Sequence, residues 1–160
     1  EIKSLRGEEL ESCDDCSIET LNAELIKVKG DQFEIEMNLE ASDSKQGIEV
    51  RRTSDGYTKA LIYYDPDTKS VVFDKKQENP ERAFKALKAP VGDDISELNI
   101  RVFLDRSMVE IYINDKVSIT DRIYFQKEDA EGLKIISPDN KKIKSLSIWQ
   151  MNAIDWKYVE

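Results

Sequence analysis

Two groups of residues in this chain have types and spacings that could do chemistry. The first is Cys13-Asp14-Asp15-Cys16. A Cys-x-x-Cys spacing serves as half of a zinc site, as a redox pair or as a local disulfide. A zinc site needs further thiolate or imidazole ligands, yet the chain has two cysteines in all and no histidine. A thioredoxin-like pair belongs at a strand-to-helix junction, which the surrounding pattern does not show. The expectation is therefore a loop pair, oxidised if the protein is exported, with no metal and no cofactor. The second group is Asp105, Arg106, Glu110 and Arg122. Carboxylate and guanidinium groups each offer two parallel acceptors or donors, which suits neighbouring hydroxyls of a sugar. These four are the candidate carbohydrate-binding residues.

No catalytic residue is assigned. The absence of histidine removes the commonest general base near neutral pH and any Ser-His-Asp triad. There is no Gly-x-Ser-x-Gly elbow and no glycine-rich phosphate loop. Glycoside hydrolysis would need two carboxyl groups roughly 5 to 9.5 Å apart. With 33 acidic residues in the sequence, spacing alone singles out no such pair.

The elements that must position the second group are strands. In 98–104, Leu98, Ile100, Val102 and Leu104 alternate with Asn99, Arg101 and Phe103, the period-two signature of a strand with one face on a core. Val109, Ile111 and Ile113 repeat it, and Val117 and Ile119 continue it after Asn114-Asp115-Lys116, whose residue types suit a reversal. Keeping the apolar faces in register pairs Leu104 with Val109, Val102 with Ile111, Ile113 with Val117 and Val109 with Asp121. Glu110 then lies opposite Phe103 and Thr120, diagonal to Arg101 and to Arg122. One carboxylate is expected between two guanidinium groups. Such a cluster is either a cross-strand ion network, worth about 1 kcal/mol or less per exposed pair, or a shallow polar patch for a sugar.

Further strands are predicted over 33–40, 48–51, 60–64, 70–73, 133–136 and 143–151, separated by turn signals such as Gly30-Asp31, Ser54-Asp55-Gly56, Asp65-Pro66-Asp67 and Pro138-Asp139-Asn140. Recurrence at about ten residues is the spacing of a sandwich or barrel. Residues 1–22 read as a lead-in or linker, 24–29 as the first strand-like material, and 23–160 as a single β-sandwich domain. Residues 75–92, with Pro80 and Pro90, read as a long connection with Phe84 and Leu87 pinned to the core and room for one helical turn. Trp149 and Trp156 are expected to be edge-packing aromatics. The formal charge of -9 disfavours nucleic acid and anionic membrane as partners. No apolar run approaches a membrane span and no signal peptide is visible, while the abrupt start at Glu1 suggests a piece of a longer chain.

Val102-Phe-Leu-Asp-Arg-Ser-Met-Val-Glu-Ile-Tyr-Ile-Asn114, followed by Thr120-Asp-Arg-Ile-Tyr124, resembles the C-terminal β-sandwich domain of glycoside hydrolase family thirty-two, the invertase, levanase and inulinase type of β-fructosidase. The match runs from about Leu21 to Trp149 and includes Ile62-Tyr63-Tyr64-Asp65 and Ser147-Ile148-Trp149. It departs at Phe125, where the family has proline, and at Lys75 after Asp74, where it has arginine. The resemblance implies an all-β fold, a two-sheet antiparallel β-sandwich of the jelly-roll or concanavalin-like lectin type. It also implies a non-catalytic role beside a five-bladed catalytic propeller of the same parent chain, whose catalytic motifs are not in this sequence. Two alternatives stay open, a fructan-binding module that acts by itself and an interaction or dimerisation domain. The compartment is open too, with a secreted or periplasmic parent one option.

Overall fold

The computed structural model describes residues 2–76, 84–92, 95–125, 127–137 and 142–153. A 3-10 turn (Ile2–Leu5) leads into β1 (Arg6–Cys16) and α1 (Ile18–Leu25). The strands that follow are β2 (Gln32–Glu40), β3 (Gln46–Arg52), β4 (Lys59–Asp65), β5 (Ser70–Lys76), β6 (Leu87–Pro90), β7 (Glu97–Asp105), β8 (Met108–Ile113), β9 (Val117–Arg122), β10 (Gly132–Ile136) and β11 (Ile143–Met151). They form two antiparallel sheets, one of six strands in the order β1-β11-β2-β7-β8-β9 and one of five in the order β10-β3-β4-β5-β6. The expected two-sheet antiparallel sandwich is what the chain adopts.

The core lies between the sheets and follows from the alternation. Phe33, Ile35, Met37 and Leu39 of β2, the even-numbered apolar residues 98–104 of β7, and Val109, Ile111 and Ile113 of β8 are all buried, as are Ile48, Ile62 and Phe73 across from them. Each strand thereby removes one face from water at about 25 cal/mol per Å² of apolar surface. The reversal at 114–116 uses Asn114 and Asp115 at φ 50° and 52°, with Lys116 N donating to Ile113 O at 3.0 Å. Short polar residues tolerate that left-handed backbone best after glycine. Gly47 marks a close approach of β3 and β4, since a Cβ there would stand 2.0 Å from Ile62 O.

Residues 1–22 depart from the expected lead-in. β1 is an edge strand of the six-stranded sheet, paired antiparallel with β11. Register shifts between Arg6 and Glu9 and between Glu9 and Glu11 break its period of two, and none of its residues is fully buried, so no alternating signal was written into the sequence. The end of α1 and the turn after it likewise stand where strand-like material is expected at 24–29. Ile18, Leu21 and Leu25 fall on one helical face and are buried, and Ser17 Oγ accepts from Thr20 N at 3.2 Å as the N-cap. The helix lies along the free edge of β10, where Asn22 Oδ1 accepts from Ile135 N at 2.7 Å and its Nδ2 donates to Ile135 O at 3.2 Å. One side-chain amide thus imitates a neighbouring strand and closes the edge.

In the connection, Phe84 and Leu87 are partly exposed and Ala89 is the buried residue of β6. Pro90 ends an edge strand, where its missing N–H disrupts no ladder. Pro80, the expected helical turn, the 138–140 reversal and Trp156 fall outside the described residues.

Candidate functional site

The outward face of the six-stranded sheet carries the candidate residues in ordered rows. Asp105 pairs with Met108 and Met108 with Arg122, giving one row. The next runs Trp149, Glu34, Phe103, Glu110, Thr120. The third contains Glu36, Arg101, Tyr112 and Ser118. Every hairpin pairing derived above from the apolar faces is present; Asp105, Glu110 and Arg122 share one face over two adjacent rows, and Arg106 stands in the turn between β7 and β8.

Their partners differ from the expectation. Among the described residues the carboxylate held between two guanidinium groups is Glu34, not Glu110. Arg6 grips Glu34 with two parallel bonds, Nε to Oε2 at 2.8 Å and Nη2 to Oε1 at 2.6 Å, and Arg101 Nε donates to Oε1 at 2.7 Å. The Arg6 guanidinium stacks 3.5 Å from the centre of the Trp149 ring and also reaches Glu36 at 3.1 Å. The Glu34 side chain is fully removed from water. Burial by itself would raise the pKa of its carboxyl group, but the arginine hydrogen bonds and charges outweigh it and hold the pKa below its ordinary value. Arg101 is therefore turned toward β2 rather than Glu110, and its guanidinium lies 4.8 Å from the Phe103 ring centre.

Glu110 Oε2 accepts from the Tyr112 hydroxyl at 3.1 Å, which raises the tyrosine pKa because the hydrogen bond and the neighbouring negative charge both favour the protonated phenol. Arg122 Nη1 approaches Ser107 Oγ at 3.5 Å. Asp105 Oδ1 accepts from Gln32 Nε2 at 3.2 Å. The turn at Arg106 is clamped from both sheets. Its N donates to Asp31 O at 2.8 Å, and Arg51 Nη1 donates to Arg106 O at 3.0 Å and to Asp31 Oδ2 at 2.9 Å. Arg51 reaches that far because β3 is bulged there, two residues of β3 facing one of β10, with Arg51 at φ 51°.

Asp105 and Arg106 line a depression of about 360 Å³ together with Gln32, Phe103, Met151 and Asn152; Glu110 and Arg122 lie outside it. An aromatic face, a carboxylate, a guanidinium and two amides are suited to hydroxyl-rich ligands. Asp105 is the single acid among the described lining residues, one short of the pair a glycosidase uses. Cys13 and Cys16 form a disulfide at the end of β1, within a strand rather than the expected loop. Among the described residues no cluster of three or more His, Cys, Asp or Glu could hold a metal ion. The Arg6–Glu34–Arg101 cluster leaves no sequence signal for its Arg6 arm, because β1 is bulged and has no fully buried residue, although Glu34 and Arg101 alone are readable from the alternation of β2 and β7.

Two antiparallel sheets with a core between them define the class as an all-β sandwich domain. More narrowly, residues 1–150 match the family model described as glycosyl hydrolases family 32 C terminal, and the chain belongs to that family. It is 26% identical over 134 residues to a levanase of Bacillus subtilis, covering 78% of this chain and 20% of that protein. Its fold is similar to the structure of sucrose-6-phosphate hydrolase from Lactobacillus gasseri, with a TM-score of 0.71, 22% identity and coverage of 94% of this chain and 29% of that one. It is also similar in fold to a carbohydrate binding module from Bacillus subtilis, with a TM-score of 0.51, 17% identity and coverage of 78% and 71%. The chain spans 20% or less of the length of the curated relatives it matches.

Proposed function

We propose that this chain is the non-catalytic C-terminal sandwich of a larger glycoside hydrolase acting on fructans or sucrose, and that it stabilises a catalytic propeller of the same polypeptide. The observation that carries the reading is the family match over residues 1–150 of a chain that spans only 20% of the levanase. The test is direct. The 160-residue chain, incubated with sucrose, levan and inulin, should release no fructose, and the parent enzyme truncated before this sandwich should unfold at lower temperature. Fructose release by the sandwich itself would overturn the assignment.

A second reading is favoured by the depression beside Phe103. In it the domain also binds fructan, with Asp105 and Arg106 holding a sugar inside the depression and Glu110 and Arg122 extending the contact along the same face. Calorimetry with levan, inulin and fructose separates the two. Micromolar to millimolar binding abolished by Asp105→Ala or Glu110→Ala supports it, and absence of heat returns the domain to a structural role.

A further inference from the structure

Cys13 and Cys16 are joined by a disulfide that the proposed function leaves unused. Residues i and i+3 of an extended strand stand about 10 Å apart, at a rise of about 3.3 Å each. A disulfide needs Cα atoms about 4.4–6.8 Å apart, and those of Cys13 and Cys16 are 6.1 Å apart. The chain closes the gap by bending at Asp15, whose φ of 53° lies in the left-handed region that residues other than glycine rarely adopt. The bond and the bend therefore depend on each other.

The bend stands at the junction between β1 and α1. β1 keeps its pairing with β11 through the ring, with Cys13 facing Leu146, Asp14 facing Ser145 and Cys16 facing Ile143. The next residue, Ser17, is the N-cap of α1, its Oγ accepting from Thr20 N at 3.2 Å and its carbonyl from Leu21 N at 3.0 Å. The ring thus fixes the direction in which α1 leaves the strand. α1 in turn presents Asn22 to Ile135 on the edge of β10. Ile18, Leu21 and Leu25 are buried, but a helix of eight residues is too short to persist in water without support at its ends and face. The bond, the helix and the cover over β10 form one series.

We propose that the Cys13–Cys16 disulfide is a redox lock on α1, and that its reduction loosens the helix and uncovers the edge of β10. The reductant is a dithiol. Both cysteines are half-buried, and Cys13 packs against the core, so the attacking thiolate reaches Cys16 Sγ. A mixed disulfide forms at Cys16, and the Cys13 sulfur leaves as a thiolate and takes a proton. The second thiolate of the reductant then attacks the reductant's own sulfur in the mixed disulfide, and Cys16 is released as a thiol. Two electrons and two protons pass to the chain, and the dithiol ends as a cyclic disulfide.

Hydrogen exchange of the 160-residue chain, read by mass spectrometry, tests the lock. Two samples are compared with the oxidised chain: wild type held in dithiothreitol, and the double variant Cys13→Ser and Cys16→Ser without reductant. In both, amides of 18–25 and 132–136 should exchange at least about tenfold faster, while those of β7 and β8 keep their rates. Removing the reductant and re-oxidising should restore slow exchange in the wild type and leave the variant unchanged. Exchange in 18–25 that stays slow after complete reduction overturns the proposal. Acceleration spread equally over β7 and β8 overturns it too, because that marks a general loss of stability and no local lock. A disulfide that dithiothreitol leaves intact in the folded chain, read by the failure of N-ethylmaleimide to add to Cys13 and Cys16, also overturns it.

Discussion

Replacing Glu34 with glutamine tests the central electrostatic feature of the sheet, because it removes one charge while keeping the shape of the side chain. Glu34 is fully buried and receives three hydrogen bonds from Arg6 and Arg101, so the variant leaves two guanidinium groups facing a neutral amide. Breaking a buried ion pair from one side costs about 3–5 kcal/mol. The Arg6 and Arg101 side chains remain 17% and 27% exposed and can turn partly to water, which lowers the expected cost to about 2–3 kcal/mol. For a domain of this size that is a fall in Tm of about 5–10 °C. Glu36→Gln, which loses one 3.1 Å contact at a partly exposed carboxylate, is the matched control and should cost under about 1 kcal/mol.

The pH dependence has a definite sign. The folded-state pKa of Glu34 is lowered, so its contribution is present above the unfolded value of about 4.3 and is lost as pH falls through the lower folded value. Urea denaturation of wild type and variant at pH 7, 5 and 4 and below should show a constant gap down to about pH 4 and a narrowing gap beneath it. A gap under about 0.5 kcal/mol at pH 7, or one that widens in acid, would refute the reasoning.

Asn22→Ala removes both bonds to Ile135 and exposes the edge of β10; a loss of about 1–2 kcal/mol in unfolding free energy, read by urea denaturation, is expected, together with faster amide exchange in 132–136. Gly47→Ala places a methyl group 2.0 Å from Ile62 O and 2.6 Å from Tyr63 Cα, so β3 and β4 must separate; a loss of about 2–3 kcal/mol or of soluble yield should follow. Asp121→Asn cuts the tie from Lys75 that joins the sheets at the β9 edge. Burial opposes ionisation of Asp121, but the Lys75 partner and the Arg122 N–H lower its pKa overall, so the loss of about 1 kcal/mol should be seen at neutral pH and fade in acid.

Much of the sheet architecture was legible. A one-residue slip turns every side chain to the opposite face and the short turns at 106–107 and 114–116 exclude longer slips, so the pairs Leu104–Val109, Val102–Ile111 and Ile113–Val117 follow. β1 was not legible, because a bulged edge strand with no buried residue leaves no period to find. α1 did carry a signal in the spacing of Ile18, Leu21 and Leu25 behind Ser17, but the apolar alternation at 25–28 overlapped its last turn. The candidate site was half legible, since the face bearing Asp105, Glu110 and Arg122 follows from the alternation while the choice of ion partners does not.

By itself, then, the sequence determined the strands that alternate regularly, which of their faces is buried and how the central hairpins align, because these depend on neighbours a few positions away. Only the tertiary structure decided that Glu34 takes Arg101 from Glu110 and that Arg6 completes the cluster. The partners of Glu34 lie 28 and 67 residues away along the chain. An exposed-face charge takes whichever opposite charge the strand order sets beside it, and here β11 and β2 bring Trp149 and Glu34 beneath an arginine from the far edge.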